Sequence, residues 1–274
     1  MGLDKLVWAF PAYTGSIEGR NQWGTKLVTI QAGKAFYTER GEPALHDCET
    51  PEDVENFPHW PDPDKYDYAT AAKYAKEAAR DFAVLGPWVS FFEIYCDVRG
   101  MEQAMIDLIT EPEIIDVALD KIEKHQTEMM KRFFDVAGDS IDMVFLSDDM
   151  GSQESLLFST DMWDRFLKDR MKRWCDFIHS YNKKVFYHSD GACEPLLKRL
   201  IDCGIDLFNP IQHVCPGMDM VNLKKNYGDR LIFHGGVDNQ KVLPYGTAQE
   251  VREEVRPEGE ACHQNPRLLL QTEV

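Results

Sequence analysis

The second half of the chain alternates short apolar segments with segments of helical periodicity, and this alternation limits its fold more than any other feature. Short, mainly apolar segments begin at Ile141, Lys184, Ile205 and Arg230. Each segment is followed by apolar residues at helical spacing. Short strands that alternate with helices of about 10 to 20 residues are typical of βαβ units in a parallel sheet. The pattern therefore predicts an α/β fold.

Polar residues follow each of these predicted strands. The four strand ends carry, in chain order, Asp148 and Asp149, His188 and Asp190, Asn209 and Gln212, and His234 and Asp238. The sequence contains neither GxGxxG nor GxxxxGK[ST], the glycine-rich loops of doubly wound nucleotide-binding folds. A TIM barrel collects its active site from the carboxyl ends of several strands. The distribution favours a (β/α)8 TIM barrel.

The first half is less regular. Residues 1–65 form an irregular N-terminal part in which Lys26–Ile30 and Ala35–Thr38, with Gly33 between them, predict a β-hairpin. A helix is predicted over 68–82, a strand over 83–95, and two helices that break near Glu111 and Pro112. We predict a single domain over residues 1–274, with an atypical tail at 257–274.

Composition excludes several classes of partner. The chain has 47 acidic and 30 basic residues and a formal charge of −17, so neither a nucleic acid nor an anionic membrane is an expected partner. No apolar run approaches the roughly 20 residues of a membrane span, and no signal-peptide pattern is visible. Seven scattered cysteines without a CxxC pair indicate a reduced, cytoplasmic protein.

Two strand ends carry the most chemistry. Side chains alternate along a strand, so at most one of Asp148 and Asp149 is expected to enter a pocket, while the other caps or bonds the backbone. His188 and Asp190 share a face, where they could bind a metal together, form an acid/base pair, or make a structural contact. Asn209 precedes a proline and could cap a turn.

The remaining candidates lie beside other predicted strands. Arg99 follows the predicted strand that contains Glu93, and it could bind a substrate carboxylate or pair with Asp97. Two glycines after His234 would allow close approach of a ligand or supply a positive φ. The candidate catalytic residues are Asp148, Asp149, His188, Asp190 and His234, and the candidate substrate-binding residues are Glu93, Arg99, Gln153, Asn209, Gln212 and Asp238.

With these strand ends in view, the chain resembles the uroporphyrinogen decarboxylase-like superfamily, which includes the tetrapyrrole decarboxylase and methyltransferases that serve corrinoid proteins. The matching stretches run in order from Trp23 to Val255: WGTK, ETPEDVENFPHWPDPD, RGMEQAMIDLITEPE, IDMVFLSDDMGSQ, FSTDMWDRFLK, KKVFYHSDGACEPLLKRLIDCGIDLFNPIQ and GMDMVNLKKNYGDRLIFHGGVDNQKVLPYGTAQEVREEV. The resemblance implies a single (β/α)8 barrel with its pocket at the strand ends. The decarboxylase's arginine-rich loop and its catalytic aspartate have no counterpart here, and the tail does not match. The resemblance therefore implies a barrel that is incomplete at its N- and C-terminal ends.

The resemblance also implies a metal site. In the methyltransferases a His-x-Cys at the strand end that corresponds to His188 binds zinc, together with a distant cysteine. Asp190 stands here at the first cysteine position, and zinc accepts carboxylate oxygen. Cys262 would be the distant ligand if the tail folds back as the final strand.

These observations lead to one preferred function and two alternatives. The preferred function is metal-assisted methyl transfer between a small methylated substrate and a corrinoid protein, with His188, Asp190 and Cys262 as zinc ligands. Decarboxylation of uroporphyrinogen in porphyrin biosynthesis is the first alternative, and it would need no cofactor. The second is a degenerate barrel that binds a ligand without turnover. A homodimer is a possible assembly.

Overall fold

The computed structural model describes residues 6–255 and the backbone of residues 268–269. The chain divides into two compact units, Met1–Asp142 and Met143–Val274. A single domain over the whole chain stays a prediction. No helix among the described residues is long and apolar enough to cross a membrane.

The first unit contains six strands, five helices and a short 3-10 turn in its described part. In chain order these are β1 (Leu6–Trp8), β2 (Ala12–Tyr13), β3 (Leu27–Ala32), β4 (Ala35–Arg40), α1 (Pro51–Glu55), β5 (Tyr66–Asp67), α2 (Tyr68–Ala78), β6 (Ala83–Val89), α3 (Phe92–Arg99), α4 (Met101–Thr110), α5 (Pro112–Ala137) and the 3-10 turn Gly138–Ser140. Strands β1 and β6 pair in parallel, whereas β2 with β5 and β3 with β4 are antiparallel. The predicted hairpin is present as β3 and β4.

The strand predicted over 83–95 is wrong in its second half. Strand β6 ends at Val89, because the buried side chain of Gln126 takes both backbone groups of Ser90: its Oε1 accepts from Ser90 N–H at 2.9 Å and its Nε2 donates to Ser90 C=O at 2.7 Å. Helix α3 then begins at Phe92 and buries Tyr95 and Val98, which share its inner face. The predicted break before Pro112 is confirmed, since α4 ends at Thr110 and α5 begins at Pro112.

The second unit is a parallel sheet with intervening helices. Its elements are β7 (Met143–Ser147), α6 (Thr160–Phe166), α7 (Lys168–Ser180), β8 (Lys184–His188), α8 (Glu194–Cys203), β9 (Leu207–Asn209), α9 (Met220–Tyr227), β10 (Ile232–His234), α10 (Val242–Tyr245), α11 (248–255) and β11 (Leu268–Leu269). Strands β7, β8, β9, β10 and β11 pair in that order and in parallel. The α/β class is confirmed, and a complete (β/α)8 barrel stays a prediction.

Strands β7 to β9 have one completely buried face, and Phe186 and Leu207 are buried on the opposite face, as expected for a parallel sheet covered by helices. Leu146, Tyr187 and Phe208 lie on the completely buried face, and Tyr187 stacks on Phe208 with ring centroids 6.1 Å apart. The register pairs Ser147 with His188 and His188 with Asn209. The polar residues that end these strands therefore lie at one level, on one edge of the sheet.

The buried His125 makes the stability of the fold depend on pH. Burial lowers the pKa of His125 to about 4, and its Nε2 lies 2.9 Å from the hydroxyl of Tyr66. The pKa of a histidine in the unfolded chain is about 6.5, so between about pH 6.5 and 4 the unfolded chain binds a proton that the folded chain does not. The free energy of unfolding is therefore highest above pH 6.5 and falls over that range. We expect wild type to lose about 3 kcal/mol more than His125→Gln over that range in urea unfolding.

The exposed His46 supplies the control for this pH effect. His46→Gln replaces a histidine whose side chain is 65% exposed, so it should change the free energy of unfolding by less than about 0.5 kcal/mol. Equal pH slopes for wild type and His125→Gln would contradict the expectation.

Candidate functional site

Three potential metal ligands converge after strands β7 and β8. One ligand atom from each of Asp149, His188 and Asp190 lies within 4.8 Å of the others. His188 Nε2 is 3.7 Å from Asp149 Oδ1, and the same carboxylate oxygen accepts a 2.9 Å hydrogen bond from the backbone N–H of Asp190. The cluster is partly open, since the side chain of Asp149 is 48% exposed and that of His188 is 19% exposed. It can therefore be reached from solvent.

Asn209 connects His188 to His234. Its Oδ1 lies 2.7 Å from His188 Nδ1, and its Nδ2 lies 2.9 Å from His234 Nδ1. An amide oxygen only accepts and an amide nitrogen only donates, so His188 carries its proton on Nδ1 while His234 Nδ1 accepts. The Nε2 lone pair of a neutral His188 is thereby directed toward the carboxylates. A metal-binding histidine needs this arrangement, in which the ring N–H that does not face the metal is held by an oxygen.

Gln212 orients the loop that carries Asp190. Its Nε2 donates to Asp190 Oδ1 at 3.2 Å, and its Oε1 accepts from Gly191 N–H at 2.8 Å. The same Oε1 accepts from Gln153 Nε2 at 3.2 Å. Gln153 and Gln212 thus form an amide pair beside the carboxylate.

Gly191 must be glycine for this loop to close. Its φ is +83°, and a Cβ at this position would lie 2.4 Å from the backbone oxygen of Ser152. Gly235 likewise has a φ of +86°. Of the two roles predicted for the glycines after His234, positive φ is therefore the one that the structure contains.

The charge of the cluster has a physical cost. Burial raises the pKa of Asp190, and the negative charge of Asp149 raises it further, while His188 opposes the shift. Two carboxylates beside one histidine form an electronegative site that a divalent cation would neutralise. The arrangement is therefore suited to binding a cation.

Asp148 and Asp149 differ in their surroundings. Asp148 is 1% exposed, its backbone N–H donates to His188 C=O at 3.1 Å, and its own carbonyl accepts from the Tyr187 hydroxyl at 3.1 Å. Asp149, the next residue, is the one whose carboxylate lies beside His188. The structure thus places one of the two aspartates in the cluster and buries the other.

Comparison with known proteins shows the family. A family model described as uroporphyrinogen decarboxylase (URO-D) matches residues 32–266. The chain belongs to the URO-D family. Among solved structures, a methyltransferase from Methanosarcina mazei is similar to this URO-D family member, with a TM-score of 0.59 and 17% sequence identity over 92% of this chain and 71% of the other. The comparison with curated proteins found no match.

In this URO-D family member Arg99 and Glu93 do not lie at a strand end. Both belong to α3, with Glu93 in its first turn. Arg99 Nε pairs with Asp107 at 2.7 Å, and its Nη1 donates to the carbonyls of Leu45 and Cys48. Because these contacts occupy a guanidinium that is only 7% exposed, Arg99 holds loop and helix together rather than a substrate.

The predicted partner of Arg99 is also corrected. Asp97 pairs with Arg40, Nε to Oδ1 at 2.6 Å, and accepts from Asn21 Nδ2 at 2.7 Å. Helical spacing explains the difference, since residues two apart point to different sides of a helix whereas Asp107 lies on the facing helix α4.

Asp238 and Cys193 both carry other contacts. Asp238 Oδ1 accepts from the backbone N–H groups of Gln240 and Lys241, so its carboxylate fixes a turn. The Cys193 thiol donates to Asp190 C=O at 2.9 Å, and burial raises its pKa to about 12, so the side chain is a neutral hydrogen-bond donor. Cys262 lies outside the described residues.

Two roles in the candidate site could not be predicted from the sequence. The sequence did not predict that Asp149 joins His188 and Asp190 as a potential metal ligand. It also did not predict that Gln212 orients Asp190. The adjacent aspartates of the SDD stretch were the available signal for the first. For Gln212 no signal exists in the sequence, because its contact joins two loops that are distant along the chain.

Proposed function

We propose that this chain is a metal-assisted methyltransferase that moves a methyl group between a small methylated substrate and a corrinoid protein. The main observation in support is the cluster of Asp149, His188 and Asp190, in which Asn209 accepts a hydrogen bond from the Nδ1 proton of His188. Membership of the URO-D family and the likeness to a solved methyltransferase support the assignment. The proposal places the protein in the cytoplasm, where scattered cysteines stay reduced.

The residues present fit zinc. Zinc binds imidazole nitrogen and carboxylate oxygen at about 2.0–2.2 Å, so two ligands of one tetrahedral ion lie roughly 3.4 Å apart. The 3.7 Å between His188 Nε2 and Asp149 Oδ1 is close to that separation. One histidine and two carboxylates leave a fourth position for substrate, as in catalytic zinc sites. When bound, the zinc would supply Lewis-acid activation of the heteroatom that carries the methyl group.

The chain's own residues would prepare that position. Asn209 holds the tautomer in which His188 Nε2 can act as a ligand, and Gln212 holds Asp190 toward it. His234 accepts from Asn209 at Nδ1, so its proton resides on Nε2, where the ring is a donor. Gln153, at the more exposed side of the amide pair, would orient the polar part of the substrate.

Metal analysis and turnover test the proposal together. We expect about one equivalent of zinc per chain, and methyl transfer from methylated O, N or S compounds to free cob(I)alamin. Removal of the metal with a chelator should abolish transfer, and added zinc should restore it, because the substrate heteroatom then regains its Lewis acid.

The outcomes separate the three functions. Uroporphyrinogen decarboxylation by chelator-treated protein would favour the decarboxylase and contradict the proposal. Well-folded protein that binds no zinc at about 10 μM and shows neither activity would favour the binding-only barrel. We rank decarboxylation second because the cluster contains two carboxylates, Asp149 and Asp190, whereas a substrate with many carboxylates is expected to meet basic side chains.

A further inference from the structure

The β3–β4 hairpin is exposed along its whole length. All twelve residues of Leu27–Ala32 and Ala35–Arg40 are exposed, and β3 and β4 pair only with each other among the described strands. Five large apolar side chains lie within this short segment, of which Phe36 is the most exposed at 68%. An isolated two-stranded hairpin is marginally stable at best in water. The hairpin therefore needs a partner surface.

The register identifies the face that needs covering. Val28 pairs with Glu39, Ile30 with Tyr37, and Ala32 with Ala35, and directly paired residues lie on the same side of an antiparallel ribbon. This side, the apolar face, consists of Val28, Ile30, Ala32, Ala35, Tyr37 and Glu39. Five of its six residues are apolar, whereas the opposite side carries Thr29, Gln31, Thr38 and Arg40 with Leu27 and Phe36.

An apolar face of this kind marks an interaction site. In a half-buried hairpin the apolar side of the alternation normally packs on a core. Here Val28, Ile30 and Tyr37 stay 40–45% exposed, so the rest of the described chain leaves the apolar face largely uncovered. Contiguous exposed apolar surface is typical of contacts with another protein.

We propose that the apolar face binds the same face of a second copy of this chain. The two ends of the hairpin carry opposite charges, Lys34 in the turn and Glu39 five residues away near the base. When two apolar faces stack antiparallel about a two-fold axis, Glu39 of each copy meets Lys34 of the other. The two ion pairs then lie about 17 Å apart, at a rise of about 3.3 Å per residue, with the apolar residues between them.

The net charge of the chain also favours the hairpin as the site of contact between two copies. The chain carries −17, so two copies repel each other over most of their surface. The hairpin segment is close to neutral, since Lys26 pairs with Glu42, Arg40 pairs with Asp97, and the remaining charges of Lys34 and Glu39 are opposite in sign. Two copies can therefore approach through the hairpin with less repulsion than elsewhere. Isologous contacts of this kind are the most common route to a dimer.

The mass of the wild-type chain in solution is the first test. Sedimentation equilibrium from about 1 to 100 μM should give twice the 31.6 kDa of one chain at the upper end of the range. A monomer at 100 μM would overturn the proposal. So would a monomer whose hairpin amides are protected from hydrogen exchange, because another part of the same chain would then cover the apolar face.

Variants on the two sides of the hairpin test the interface. Ile30→Asp should raise the dimer dissociation constant at least tenfold, because it places a charge in the apolar contact. Thr29→Asp, the neighbouring position on the opposite side, is the matched control and should change it less than threefold. Equal effects of the two, with hairpin and fold intact by circular dichroism, would overturn the proposal.

A charge exchange tests the antiparallel arrangement. Lys34→Glu and Glu39→Lys alone should each weaken the dimer several-fold, because each leaves like charges opposed at both ends. The double variant should restore wild-type affinity, since the opposite charges meet again with their signs reversed. Failure of the double variant to recover would overturn the stacking proposed here.

Discussion

Asp107→Asn is expected to lower the free energy of unfolding by about 3–5 kcal/mol, because it leaves the buried guanidinium of Arg99 without a counter-charge. Arg99 and Asp107 are 7% and 0% exposed, and their Nε–Oδ2 distance is 2.7 Å. The same carboxylate accepts from the Tyr95 hydroxyl at 2.6 Å and from Gln103 Nε2 at 2.7 Å. An amide of the same size cannot accept all these donors. Urea unfolding at pH 7 measures the loss.

An exposed ion pair supplies the control for this prediction. Lys172 and Asp176 pair one helical turn apart on α7, with side chains 50% and 60% exposed. Asp176→Asn should cost less than about 0.5 kcal/mol, because solvent screens both charges and pairs of this kind contribute little. If the two substitutions cost the same, the Arg99–Asp107 pair is not the buried support described here.

The second large effect is expected for His188→Ala, which should lower zinc affinity at least about a hundredfold. The substitution removes the sole nitrogen donor of the cluster formed with Asp149 and Asp190. Two neighbouring carboxylates that remain are weaker zinc ligands than a set containing imidazole. Competition with a chromophoric chelator at pH 7 measures the affinity. His46→Ala, at an exposed loop histidine, should leave it unchanged.

Variants of Asn209 separate ligation from positioning. Asn209→Ala should lower zinc affinity by about 10–100-fold, the usual cost of losing a residue that holds a metal ligand. Asn209→Asp keeps an acceptor for His188 Nδ1–H, so its affinity should remain within about tenfold of wild type. If Asn209→Asp binds zinc as poorly as Asn209→Ala, the amide oxygen does not act through His188.

Local patterns predicted the second half of the fold well, and tertiary contacts limited the prediction of the first half. Each apolar run from Ile141 onward contains a strand, because a short run of consecutive apolar residues is typical of a parallel strand covered by helices. The end of β6 is different. It depends on Gln126, which lies 36 residues away and replaces the strand's hydrogen bonds at Ser90. No pattern near Ser90 contains that information.

The candidate site also contains some residues that the sequence indicates and others that depend on tertiary contacts. The apolar run before His188 predicts β8, so the sequence indicates that His188 ends a strand. Asp190 lies in the loop after β8, and its place beside His188 depends on contacts with Asp149 and Gln212. Asp149 joins them because the chain turns after Ser147, where alternation no longer determines direction. The role of Gln212 depends on contact between two loops. The position of Arg99 in a helix rather than after a strand follows from the early end of β6.

The single amide of Asn209 links the protonation of two rings. Its oxygen requires a proton on His188 Nδ1, and its nitrogen requires a lone pair on His234 Nδ1. A proton that arrives at His234 Nδ1 removes that acceptor, and rotation of the amide to compensate would turn its nitrogen toward the N–H of His188. The energies of the two rings are therefore coupled, and by linkage a cation at His188 Nε2 and a proton at His234 Nδ1 each weaken the binding of the other by the same factor.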